Sequence, residues 1–177
     1  MEKNELVKSL VSESCHQLDQ AMLKIENCLR QLNEDQVWFR PGGPQNPPMN
    51  SIGNLLLHLA GNLRQWGVVP FRAGEDRRQR ELEFSADRTQ TAAELLAGLR
   101  RVVADAQAEF AGLDDAELLG RRLIQGFEVT GVQAVMHTCS HFVGHAHQII
   151  QLTRLQLGDA YQFQWTPDRR PDNNVPI

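Results

Sequence analysis

The segment from Thr130 to Leu157, TGVQAVMHTCSHFVGHAHQIIQLTRLQL, keeps one helical pattern over its whole length and limits what the rest of the chain can become. Val132, Val135, Met136, Cys139, Val143, Ala146 and Ile150 recur at three- and four-residue steps, the period of an amphipathic helix with a buried stripe. Thr130 and Gln133 have the spacing of a capping box, and Gly158 stands where a helix of this kind ends. A stripe that long needs other apolar-faced helices to cover it.

Three further segments supply them. Residues 4 to 33 carry Leu6, Val7, Leu10, Val11, Cys15, Leu18, Met22, Ile25, Leu29 and Leu32 at helical steps. After a break rich in proline and glycine over residues 40 to 48, Asn50 or Ser51 can cap a helix whose apolar face is Ile52, Leu55, Leu56, Leu59 and Leu63. Thr91 and Glu94 form another capping-box pattern, opening a helix through Leu95, Leu99, Val102, Val103, Ala106 and Phe110 to Gly112. Between these, residues 67 to 88 read as a solvated loop with one helical turn around Arg78 to Leu82, and residues 121 to 129 as a short extended pair around Gly126. The expected architecture is therefore all-α, a four-helix bundle. The pattern leaves both simple up-and-down order and an up-down-down-up order with a crossover open. Residues 1–157 form the expected single domain. Residues 158–177 form a partly mobile extension whose aromatic residues Tyr161, Phe163 and Trp165 fold back on the bundle.

Composition narrows the function classes. At 177 residues with a formal charge of −4, the chain has neither the basic excess that attracts nucleic acid nor an early apolar run that would make a signal peptide or a membrane span. Cys15, Cys28 and Cys139 are few, odd in number and set among apolar neighbours, which suits reduced, buried thiols in a cytoplasmic protein.

Histidine is the exception to this ordinary balance. Four of the six histidines lie in the last helix, and His137, His141 and His145 follow one another at four-residue steps. Residues four apart on a helix are about 6 Å apart along the axis and share a face, so two such imidazoles can converge on one ion. Residues eight apart are about 12 Å apart, so the ladder offers His137 with His141 or His141 with His145. His147 points to another side of the helix. A third ligand must come from elsewhere, and His58 lies on or beside the buried face of the second helix. A set of three histidines leaves positions open for water or substrate, the mark of a reactive centre. Asn62, one turn after His58, and Gln148, three residues after His145, are candidates for orienting the ligands or a substrate. The apolar stripes can bury a core without the ion, so folding is not expected to depend on it.

Three segments together resemble the DinB-like family of metal-binding helical bundles. They are CLRQLNEDQVWFRPGGPQNPPMNSIGNLLLHLAGNLRQW, the charged loop GEDRRQRELEF, and SHFVGHAHQI, the last being similar to that family's His-x-x-x-His-x-Gly-Gln-Ile. The resemblance spans roughly residues 20 to 155 and implies an up-down-down-up bundle, often a homodimer, with a divalent metal held by three histidines. Its motifs assign the ligands to His58, His141 and His145. The chain departs from the pattern at His147, where glycine is usual, which weakens any transfer of substrate identity. Relatives in that family include transferases and an isomerase that use bacillithiol, mycothiol or similar low-molecular-weight thiols.

The expected function is a metal-dependent enzyme that joins a low-molecular-weight thiol to an electrophilic small molecule. The expected cofactor is a divalent ion, zinc or nickel before iron or manganese. Metal-assisted hydrolysis ranks lower, because the histidine helix lacks the glutamate that His-Glu-x-x-His would supply. A non-catalytic metal- or ligand-binding bundle is the alternative from another class.

Overall fold

The computed structural model describes residues 4–42, 49–72 and 74–163. The chain is mainly helical, with a single two-stranded hairpin among the described residues. Helix α1 (Glu5–Leu29) starts at Asn4, whose side chain accepts a hydrogen bond from the Val7 amide. The short α2 (Glu34–Trp38) starts at Asn33, which forms a capping box with Gln36. That box explains why the first helix stops at Leu29 and does not run on to residue 33: a second start signal captures the backbone there.

Ser51 caps α3 (Ile52–Leu63), and the helix runs directly into a π-helical turn, Arg64–Val68. Helix α4 (Arg80–Ser85) lies in the stretch read from sequence as loop, and it is longer and later than the single turn expected around Arg78. Helices α5 (Ala92–Gly112) and α7 (Gly131–Leu157) both begin with capping boxes, at Thr91 and Thr130. Between them lie α6 (Asp115–Leu119) and the antiparallel strands β1 (Arg121–Ile124) and β2 (Phe127–Thr130). Gln125 and Gly126 turn that hairpin with positive φ at both positions, as a two-residue connection of this hand requires.

Helix α1 packs along α7 and also against α5, and α3 packs against α5 and α7. The shared core contains Leu18, Ile25, Leu56, Leu99, Phe110, Phe142 and Ile149, all with almost no exposure. The stripe on α7 is rotated from the sequence expectation. Phe142, Ile149 and Leu152 are buried, whereas Met136 is 52% exposed. The reason is that α7 is covered from two sides, by α1 and by α3, so its buried surface is wider than one periodic row. On α1, Leu6 is exposed, because the stripe outruns its cover at the helix start. Tyr161 is half-buried and packs on the core, Phe163 is exposed, and Trp165 and the expected mobile end lie outside the described residues. No described helix is long and apolar enough to cross a membrane.

Candidate metal centre

Where α3 meets α7, the packing brings His58 together with His141 and His145. One ligand atom from each lies within 4.8 Å of the others. The Nε2 atoms of His58 and His141 are 3.0 Å apart. At metal–nitrogen bonds of about 2.0–2.1 Å, two ligands stand about 2.9 Å apart at a right angle and about 3.4 Å apart at the tetrahedral angle. The spacing of His58 and His141 therefore suits two ligands of one divalent ion, and the three imidazoles together could hold one. His58 is buried, while His141 and His145 are half-buried, so the centre has an accessible side.

Burial disfavours the protonated form of His141 and His145. It pushes His141 down to about 3, helped by the positive charge that His145, His58, His137 and Arg78 would place nearby. Burial also lowers His145, with His58 adding to the effect and Gln148 opposing it. A proton is thus a poor competitor for the site. The sign for stability follows. Below its ordinary pKa of 6.5, His141 takes a proton in the unfolded chain but not in the folded one. The metal-free protein should lose stability as pH falls from about 6.5 towards about 3. Denaturant midpoints at about pH 7 and about pH 4.5 test this, with a shallower decline expected for His141→Asn. A midpoint that holds steady or rises on acidification would contradict the expectation.

The residues around the three imidazoles were only partly foreseen. Gln148 Oε1 lies 2.9 Å from His145 Nδ1 and accepts a hydrogen bond from it, which leaves the Nε2 lone pair of that ring free. Asn62 is buried one turn beyond His58, but among the described residues its side chain makes no hydrogen bond to a histidine. His137 does not join the set. Its ring stacks on His141, with centroids 5.4 Å apart, and on Trp66, with centroids 3.9 Å apart, and its buried Nε2 has no partner among the described residues. His147 is exposed, with Nε2 3.4 Å from Lys24 Nζ. Cys139 is buried and its thiol is pushed up to about 11 by that burial, which keeps it inert.

Two charged residues that the sequence reading left in a solvated loop sit beside His58. Glu83 Oε2 is 2.9 Å from His58 Nδ1. Arg78 grips the same carboxylate through two bonds of 2.7 Å, Nε to Oε1 and Nη2 to Oε2. Its Nη1 donates to Gln65 Oε1 at 2.7 Å, and Gln65 Nε2 in turn donates to Asp76. Burial alone would raise the Glu83 pKa, but the hydrogen bonds and positive charge of Arg78 and His58 outweigh it and hold the carboxylate below its usual range. The π turn has a part here. Its Val69-to-Arg64 bond spans five residues, and the widened turn buries Gln65 against Arg78 and Trp66 against His137. A cavity of about 900 Å³ is lined by Arg78, Glu83, Gly61, Leu57 and Leu82 among others, but by none of the three histidines. Two of its lining residues, Arg78 and Glu83, also reach His58.

Comparison with known proteins places the chain in a group. No curated protein matches it. Among solved structures, a protein titled "conserved protein of locus from Enterococcus faecalis" superposes with a TM-score of 0.65 at 18% identity, covering 84% of this chain and 97% of that one. At that identity the likeness is one of fold alone. A family model described as "Protein of unknown function (DUF1572)" matches residues 5–168. The match runs from the first turn of α1 to beyond the end of α7, and the chain belongs to the DUF1572 family.

Proposed function

We propose that this chain is a DinB-like, up-down-down-up four-helix bundle whose His58, His141 and His145 hold a divalent ion, zinc or nickel before iron or manganese, and that it transfers an electrophilic small molecule onto a low-molecular-weight thiol. The observation that carries the reading is the convergence of three imidazoles, with no carboxylate in the set, at a place where two of the three rings are only half-buried. Imidazole-only sites suit zinc, nickel and iron better than magnesium or calcium. A divalent ion bound there supplies Lewis acidity, which favours the thiolate of a coordinating thiol at neutral pH.

The chain's own residues orient and exclude. Gln148 fixes the ring of His145, and Glu83 approaches the far nitrogen of His58. His137 packs between Trp66 and His141, against the ring of a proposed ligand. In the transfer, a sulfur–carbon bond forms as the bond from carbon to its leaving group breaks. The electron pair departs with the leaving group and the thiol proton goes to solvent. Glu83, the carboxylate that reaches His58, is bound to both Arg78 and His58 and so is not free to act as a base for hydrolysis.

The test begins with untagged protein purified without added metal. Elemental analysis should find about one divalent ion per chain, or the metal-free protein should take up one. The loaded protein should then accelerate the loss of bacillithiol, mycothiol or glutathione in the presence of a chlorinated nitrobenzene, and chelation should remove the acceleration. Titration with no uptake would sink the metal reading. Uptake with no effect on any thiol would sink the transferase reading.

A further inference from the structure

The environment of His58 Nδ1 poses a choice that the chemistry of its neighbours resolves. Two groups reach this nitrogen, Glu83 Oε2 at 2.9 Å and Arg78 Nη2 at 3.0 Å. The carboxylate can only accept a proton and the guanidinium can only donate one. If Nδ1 carried no hydrogen, its lone pair would face the Glu83 carboxylate inside a site where His58 and Glu83 side chains are 7% and 9% exposed. If Nδ1 carries the hydrogen, it donates to Glu83, while Arg78 spends its own hydrogens on Glu83 and Gln65. His58 Nδ1 and both oxygens of Glu83 then have partners, and the lone pair of Nε2 points to His141.

We propose that Glu83 is the positioning residue that fixes the ligating tautomer of His58, and that Arg78 is the clamp that holds Glu83 to this task. The inference rests on the reading of His58 as a metal ligand. Carboxylate, imidazole and ion would then stand in line, an order in which the carboxylate sets ring orientation and raises ligand basicity. Arg78 has a second consequence. With Glu83 gone, its Nη2 is already placed to donate to Nδ1, which would drive the ring proton to Nε2 and block the ligating atom. The segment from Asp76 to Glu83 is thus a strap. Asp76 anchors it to Gln65 on the π turn, Arg78 crosses to the same glutamine, and Glu83 delivers the carboxylate.

The decisive experiment reads the proton itself. Nitrogen-15 imidazole spectra of the full metal-free chain, with His58 assigned through His58→Gln, should show the proton on Nδ1 in the wild type. In Glu83→Ala it should move to Nε2. In the double variant Arg78→Met with Glu83→Ala, which removes the competing donor as well, the Nε2 form should no longer dominate. Zinc affinity measured against a chromophoric chelator should fall about 10- to 100-fold in Glu83→Ala and recover in part in the double variant. A merely structural role for Glu83 would not move the tautomer, nor would removal of Arg78 rescue its loss. If Glu83→Ala does not fold, Glu83→Gln keeps the volume and is read by the same spectra, with a smaller shift of the same sign. A wild-type proton on Nε2, or a Glu83 variant whose tautomer is unchanged, overturns the proposal. Should the wild type bind no zinc, the metal reading fails by itself, and the spectra still decide what Glu83 does to His58.

Discussion

Replacing His58, His141 or His145 by alanine should each reduce affinity for zinc or nickel by about a thousandfold. The size follows from dividing about 10–16 kcal/mol of site binding energy among three protein ligands, about 3–5 kcal/mol each. Replacing His137 or His147 should leave one ion bound. His137 stacks outside the set and His147 points towards Lys24. His141 belongs to either rung of the ladder, so the informative contrast is His137 against His145. Metal content of the five single variants settles it: a site emptied by His137→Ala but not by His145→Ala would mean that the ion sits one turn earlier on α7.

The second large effect is expected at Gly61, a residue that touches no metal ligand. A Cβ built at Gly61 would fall well inside contact distance of Glu83 Oε1, and 3.0 Å from Arg78 Nε. A flexible carboxylate could normally step aside. This one is held by two bonds to Arg78 and one to His58, with the Arg78 and Glu83 side chains 6% and 9% exposed. Gly61→Ala must therefore part a buried ion pair or bend α3 away from the strap. Breaking such a pair costs about 3–5 kcal/mol, because a charge is left uncompensated. The variant should show a markedly lower denaturant midpoint, together with weaker zinc binding through the loss of order at His58. Gly98→Ala is the control: apart from the far end of Arg101 at 3.9 Å, its added Cβ meets open space. If Gly61→Ala matches Gly98→Ala in midpoint and affinity, the strap does not grip as described.

How much of this could be read in the chain differs by element for physical reasons. The starts of α5 and α7 were legible because each depends on residues three apart, Thr91 with Glu94 and Thr130 with Gln133, whereas the cap of α3 was narrowed only to Asn50 or Ser51 and proves to be Ser51, boxed with Asn54. The histidine ladder was legible because helical spacing converts directly into a shared face. His58 was a weaker inference, since its meeting with α7 is made by packing alone. Glu83 was beyond reach. In the run Leu82-Glu83-Phe84 the polarity is inverted, with Leu82 59% exposed and Glu83 8% exposed. Burial of that acid is stabilised by Arg78 and His58, partners that no local pattern reveals. The π turn was hidden for a similar reason, because one residue of extra backbone leaves no mark in composition.

The capping boxes carry a last consequence, which concerns timing. Each is complete within four consecutive residues, so α2, α3, α5 and α7 have their starting points specified as soon as those residues are made. His58, by contrast, stands 83 residues before His141 in the chain and meets the two imidazoles of α7 only when α3 lies against that helix. The helix starts are thus specified locally, whereas the centre needs the packed bundle, and on the proposed metal reading an ion would meet side chains already held in place. Its identity would then be decided by which cations are abundant at that moment and how readily each sheds water, after the polypeptide has settled its shape.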